Sequence, residues 1–309
     1  MRRITLLDGG MGQELIRRSA MPPTPLWSAE VLERDPDLVE AVHREFIQAG
    51  ARVITLNSYS ATPERLARHV PAAEVDSRFE ALQRAAGAVA ERARRGSDHP
   101  VAIAGCLPPL GGSYHPEAGP DFERTLATYD RIVALQGACD LFLAETMSAV
   151  REARAATRAI RKAGRRAWIA LSVDDRDGTR LRSGEPLAEG CQAAVEEGAD
   201  ALLLNCSRPE AIAKGLDTLR ETGRPFGAYA NGFTDAAELK IGTTVAGMGV
   251  RTDLGPDAYA AHAMEWIERG ATIVGGCCEV GPAHIARLRG AITEAGHEIA
   301  TPERAVAAA

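Results

Sequence analysis

The feature that most constrains this chain is an alternation. Eight short apolar or β-branched runs, "ITLLDGG", "RVITLNSY", "VAIAGCL", "LFLAET", "AWIALSVD", "ADALLLNCS", "PFGAYANG" and "ATIVGGCC", recur in order along 309 residues. Between them lie segments with apolar residues at helical spacing, such as "DLVEAVHREFIQAG", "FERTLATYDRIVALQG" and "YAAHAMEWIERG". Many close on a glycine (Gly50, Gly137, Gly164, Gly198, Gly223, Gly270), a common way to end a helix. Eight strands in strict alternation with helices are the count of an α/β (β/α)8 TIM barrel, which typically needs about 250 residues. A doubly wound sheet is the alternative, but it ordinarily has fewer strands. "DGGMGQEL" also matches neither the dinucleotide nor the P-loop glycine spacing. The expectation is one barrel domain over residues 1–296. A tail without a core-facing pattern, residues 297–309, is expected to fray.

Three long segments, "RRSAMPPTPLWSAEVLERDP", "PPLGGSYHPEAGPD" and "DDRDGTRLRSGEPL", follow runs one, three and five. In a barrel these loops lie at the C-terminal ends of strands, where active sites are built. A formal charge of −6 without a basic patch argues against nucleic acid and for small-molecule partners. The first apolar run is too short for a signal segment and no later one reaches membrane-spanning length, so the expected location is cytoplasmic, with no membrane partner. Six cysteines in a chain this long are too few for a disulfide scaffold, which makes clustered ones better candidates for metal ligands or nucleophiles than for bridges.

Read as strand ends, the chemistry-bearing residues are Asp8, Asn57, Cys106, Glu145, Asp174, Cys206, Asn231 and the adjacent pair Cys277 and Cys278. Strands six and eight are separated only by strand seven, so Cys206, Cys277 and Cys278 can converge at the barrel mouth. Neighbouring residues on a strand point to opposite faces, so Cys277 and Cys278 share a target only where the strand is ending; Gly275 and Gly276 permit such a turn. Three convergent thiolates suit Zn2+, tetrahedral at about 2.3 Å from sulfur, with a fourth position open when the site is catalytic. Cys106, at the end of strand three, is the other candidate ligand. The competing reading is that all six cysteines are small buried apolar residues, and it is preferred for Cys139 and Cys191 in their helical segments.

The motifs "LDGGMGQEL", "ITLNSYSATPERL", "AGCLPP", "LAETM", "LLNCS", "AYANG" and "VGGCCEVGPAHIARL" resemble, in this order, those of the homocysteine S-methyltransferase family, from about Leu7 to Leu288. The specific part is "NC" followed by "GGCC" at separate strand ends. The resemblance implies a homocysteine-binding barrel in which Cys206, Cys277 and Cys278 hold zinc. The metal would activate the homocysteine thiol for attack on a methyl donor, giving methionine. It also implies that Asp8 and Glu145 receive the substrate's ammonium. The substrate carboxylate is expected near the backbone of Gly9 and Gly10, and Trp27 is a candidate face for a cationic donor.

Two departures from the betaine-using branch, Thr146 after Glu145 and Ser60 after the second strand, favour a sulfonium donor such as S-methylmethionine or S-adenosylmethionine. Ala230 replaces a proline usual in the family. The alternatives are betaine-type or corrinoid-protein-dependent transfer, or a non-catalytic barrel that binds zinc or homocysteine. His43 and His69 lie in helical patterns and read as surface or packing residues; His115, in the loop after strand three, is open.

Overall fold

A computed structural model describes residues 1–302 apart from Pro23, Trp27 and Thr244. The strands are β1 (Arg3–Leu6), β2 (Val53–Thr55), β3 (Ala102–Leu107), β4 (Leu141–Met147), β5 (Ala167–Leu171), β6 (Ala201–Asn205), β7 (Phe226–Tyr229), β8 (Ile273–Val274) and β9 (Glu298–Ile299). Each of the first eight coincides with one of the eight runs. They pair in parallel in the order β2-β3-β4-β5-β6-β7-β8-β1, and a parallel bridge from Leu7 to Val53 brings β1 back against β2. The ring is the expected (β/α)8 barrel.

The two-residue period of the strands divides the core. Leu141, Leu143, Ala201, Leu203 and Trp168 fill the barrel interior, while their neighbours Phe142, Ala144, Leu202, Leu204 and Ile169 pack outward against the helices. Both faces are therefore apolar, which is why these strands read as continuous hydrophobic runs. The covering helices include Pro36–Ala49, Val75–Arg95, Phe122–Leu135, Val150–Lys162 and Pro282–Glu294. The last begins at the proline of "GPAHI", whose missing N–H costs nothing in a first helical turn.

The C-terminal stretch departs from expectation. Glu298 and Ile299 pair with Arg3 and Ile4, so β9 extends the sheet on the flank of β1 opposite β8. The N-terminal end of β1 offers unpaired backbone groups there, and a two-residue strand satisfies them without needing an apolar pattern. The rest of the expected tail, residues 303–309, lies outside the described residues.

Candidate active site

The site is built where strands six to eight end. Cys206 follows β6 in a left-handed conformation (φ 49°), a backbone state that costs a non-glycine residue about 1 kcal/mol or more. Hydrogen bonds hold it there: its N–H donates to the Tyr229 carbonyl (3.2 Å), and its own carbonyl accepts from the Arg182 guanidinium (3.2 Å). β8 stops at Val274, and Cys277 and Cys278 lie beyond it in a turn closed by the Val280 N–H on the Cys277 carbonyl (3.2 Å). The turn is sewn to the loop after β7: Cys277 donates to Ala230 (3.0 Å), and Cys278 accepts from Gly232 (2.9 Å).

Freed from strand alternation, both sulfurs face Cys206. The three Sγ atoms lie within 4.8 Å of one another. Gly275 and Gly276 lead into the expected turn, and neither has a positive φ. They permit close approach: a Cβ on Gly275 would lie 2.4 Å from the Leu7 Cβ, and one on Gly276 2.2 Å from a Val280 methyl.

Cys206 and Cys277 are in bonding contact as a disulfide, one bridge where the sequence favoured none, and Cys278 Sγ stands 3.9 Å from Cys206 Sγ. Sulfurs aimed at one point can bond pairwise or share an ion. In a tetrahedral site with 2.3 Å bonds, neighbouring sulfurs are about 3.8 Å apart. The Cys206 to Cys278 spacing fits that figure. Burial pushes the Cys278 thiol up to about 12, so a cation is what would ionise it.

Two carboxylates line the same pocket, Asp8 buried and Glu145 partly buried. Asp8 accepts from the Thr55 N–H (2.8 Å) and hydroxyl (3.3 Å). Glu145 continues the inward-facing row of Leu141 and Leu143 on β4, at a register shift between Ala144 and Met147, and accepts from the Cys106 thiol (3.2 Å) and the Tyr229 hydroxyl (3.3 Å). Burial pushes Asp8 up to about 8, with the Glu145 charge adding to it, and pushes Glu145 up to about 7. Neither pairs with Lys, Arg or His among the described residues. Two desolvated acids facing a cavity without a counter-ion form a receptor for a cation with several N–H donors.

Cys106 belongs to this pair and not to the sulfur cluster. The pocket encloses about 840 Å³, part of it open to solvent, and Tyr59, Tyr114 and Tyr229 line it together with both acids and all three cysteines. The Tyr114 hydroxyl donates to Cys206 Sγ (3.1 Å). The Arg182 guanidinium lies 4.5 Å from the centroid of the Tyr114 ring, and a buried ion pair with Asp175 (3.1 Å) fixes it.

Other expectations fare unevenly. Gly9 lines the pocket, but its missing side chain makes room for the Val280 carbonyl, 2.1 Å from where a Cβ would be. The Gly10 N–H is already donated to that carbonyl (2.9 Å) and is not available to a substrate. Trp27 lies outside the described residues. Asn57 lines the pocket with its amide tied to the Ser28 carbonyl (3.1 Å), whereas Asp174 and Asn231 accept hydrogen bonds within their own loops. Cys139 and Cys191 are buried, as is His43, whose burial lowers it to about 4; His69 is exposed, and His115 ties Glu117 to the Leu239 carbonyl.

Sequence reasoning did not single out the three tyrosines or Arg182. Their signal was position: Tyr229 ends a strand, and Tyr114 and Arg182 lie in two of the long loops. The non-glycine residues with positive φ among those described are Tyr114, Thr146, Cys206 and Glu279. Three line the pocket and the fourth follows Cys278, so backbone strain is concentrated here.

Known proteins resemble this chain over nearly its whole length. The family model described as homocysteine S-methyltransferase matches residues 5–292. The homocysteine S-methyltransferase of Escherichia coli is 30% identical over 93% of this chain and 94% of its own. Homocysteine S-methyltransferase 4 of Zea mays is 28% identical over 95% of this chain and 90% of its own. The crystal structure of the E. coli homocysteine methyltransferase MmuM in a metallated form superposes with a TM-score of 0.77 at 27% identity, covering 94% of this chain and 96% of that one. With nearly its whole length matched, the chain belongs to the homocysteine S-methyltransferase family.

Proposed function

We propose that this enzyme transfers a methyl group from a sulfonium donor, S-methylmethionine or S-adenosylmethionine, to the thiol of homocysteine, with Zn2+ held by Cys206, Cys277 and Cys278. The observation that carries the reading is the pairing of two sites in one pocket: three converging sulfurs on one side, and the unpaired Asp8 and Glu145 on the other. A homocysteine molecule has one group for each. Its ammonium carries one positive charge and so balances one ionised carboxylate of the pair, whose raised proton affinity falls when a cation arrives. Its sulfur then points toward the cysteines.

Zinc, when bound, would supply a fourth position in which a substrate thiol is deprotonated and stays nucleophilic. The protein's own groups do the rest. Asp8 and Glu145 anchor the amino end, and the Thr55, Cys106 and Tyr229 donors hold their carboxylates in place. Tyr114 donates to Cys206 and steadies one ligand sulfur. Tyr59 and Tyr114 put aromatic rings in the pocket wall for a sulfonium to rest on, each with a guanidinium already over one face. In the transfer the methyl carbon's bond to the donor sulfur breaks as its bond to the homocysteine sulfur forms. The donor leaves as a neutral thioether, and the thiol proton goes to solvent.

Three thiols that must stay reduced to hold a metal support a cytoplasmic setting. No helix among the described residues is long and apolar enough to cross a membrane. The test is a donor panel. Zinc-loaded protein is incubated with homocysteine and S-methylmethionine, S-adenosylmethionine, betaine or a methylated corrinoid, and methionine is measured. Methionine from a sulfonium is expected, whereas product only from betaine or the corrinoid overturns the donor assignment. No methionine from any donor overturns the enzymatic reading.

A further inference from the structure

A second cleft opens beside the active-site pocket and shares Ser113 and Leu239 with it. Arg65, Arg68, His69 and Lys240 line it, and no acidic side chain among the described residues does. Arg65 stands where the two cavities meet. Its guanidinium lies 5.1 Å from the centroid of the Tyr59 ring and donates to the Ser113 hydroxyl (3.3 Å), and that hydroxyl is also hydrogen-bonded to the Tyr59 hydroxyl (2.9 Å).

Tyr59 and Ser113 form the wall of the methyl-transfer pocket, so Arg65 is one side chain behind that wall. Its Nε is shut off from solvent without a hydrogen-bond partner, and it pairs with no Asp or Glu among the described residues. Arg65 is partly buried, and a cation so placed is normally matched by an acid, because a partly desolvated charge left unpaired is costly. Most arginines of this chain have such a partner, as Arg18 has Glu14 and Glu45 and Arg158 has Glu197. The anion that would match Arg65 has to come from a ligand.

The acceptor's position leaves the donor to supply it. Homocysteine is held between Asp8, Glu145 and the cysteines, whereas Arg65 adjoins the tyrosine wall on which a sulfonium would rest. The geometry points to Arg65 as the residue that binds the carboxylate of the methyl donor, which makes the donor a sulfonium amino acid and not a simple alkyl sulfonium. This rests on the methyl-transfer reading above. Lys240 and Arg68 add positive potential that draws the same carboxylate in.

The experiment compares S-methylmethionine with its decarboxylated counterpart, (3-aminopropyl)dimethylsulfonium, in the wild-type enzyme, Arg65→Met and Arg65→Lys. Folding is checked by melting temperature. The wild type should prefer the carboxylate donor by roughly 10- to 100-fold in kcat/KM, the range expected for a charge-assisted hydrogen-bonded pair. In R65M the ratio should fall to near one through a rise in donor KM, and R65K should be intermediate. A ratio unchanged in R65M overturns the assignment, and so does a change confined to the homocysteine KM, which would give Arg65 to the acceptor's carboxylate. Calorimetric titration of the same proteins with the two sulfoniums separates this inference from the one beneath it. If the wild type makes no methionine from either donor, the methyl-transfer reading fails. Stronger binding of S-methylmethionine to wild type than to R65M would still support carboxylate recognition, and equal binding would refute it.

Discussion

Replacing Glu145 by glutamine should move stability and substrate affinity in opposite directions. Glu145 lies partly buried in the pocket wall and, with a carboxyl pushed up to about 7 from 4.5, holds a proton in the folded chain that the unfolded chain releases. Below pH 4.5 both states are protonated and the group has no effect on the difference. As pH rises from there toward 7 the wild type loses stability, by up to about 1.4 kcal/mol per pH unit for one retained proton, and above 7 the loss levels off. A separation of about 2.5 units amounts to about 3 kcal/mol.

Glutamine has no charge to desolvate. Its carbonyl can accept from Cys106, and its amide can donate to Tyr229 with the phenol turned to accept. The ligand-free variant should therefore melt about 5 °C above wild type at pH 8 and close to it at pH 4.5. Homocysteine binding should weaken by about 100-fold or more, because one partner of a buried charge pair has been removed. Scanning calorimetry across pH and a homocysteine titration read the two effects. A melting difference that does not grow with pH, or a variant that binds homocysteine as tightly as wild type, would refute the placement of Glu145 as a receptor for the ammonium.

Homocysteine affinity in the wild type should rise with pH through about 7 to 8, as Asp8 and Glu145 release protons, and equilibrium titration at several pH values checks this. Cys278→Ala should lower bound zinc from near one ion per chain to a small fraction, read by elemental analysis, while the melting temperature of the metal-free protein changes by only a few degrees. Tyr114→Phe removes the hydrogen bond to Cys206 and should weaken zinc binding by about tenfold in competition with a chromophoric chelator; unchanged affinity would leave Tyr114 a wall residue only. Gly9→Ala places a Cβ 2.1 Å from the Val280 carbonyl and should cost about 1–3 kcal/mol in denaturant unfolding while shifting the cysteine turn.

The barrel was legible because its signal is repeated. Parallel strands buried on both faces read as continuous apolar runs, and eight of them in alternation with helices leave little choice of architecture. The sulfur cluster was legible for a related reason, since strand ends in a barrel have fixed neighbours and a residue's place in its run gives its place at the mouth. What escaped depends on side-chain direction within loops. Nothing in "GGSYHPE" says that Tyr114 turns its hydroxyl to Cys206, or that Arg182 reaches back from the loop after β5 to lie against the Tyr114 ring. β9 escaped because a two-residue strand has no period to detect. Gly275 and Gly276 stand before the turn that the sequence places there, but glycine in sequence does not distinguish an unusual φ from a tight contact, and here it is contact.

The strain at the mouth has a common physical cause. A parallel strand sends successive side chains to opposite faces, yet the neighbours Glu145 and Thr146, and Cys277 and Cys278, line one cavity together with Cys206. Each strand must therefore break its own geometry at its end. β4 does so with a bulge and a left-handed Thr146, β6 with a left-handed Cys206, and β8 by stopping three residues before Cys277 and turning through a left-handed Glu279. Those conformations are unfavourable in isolation and persist because other loops over-determine them. Asn205 fixes the Thr146 N–H (2.9 Å), Arg182 fixes the Cys206 carbonyl, and Ala230 and Gly232 fix the cysteine turn. A neutral replacement of Arg182, which holds the Cys206 carbonyl and lies against Tyr114, should therefore weaken zinc binding, read in competition with a chromophoric chelator, more than the same change at the exposed Arg84. The barrel holds the reacting groups in place through the bonds that restrain its strand ends.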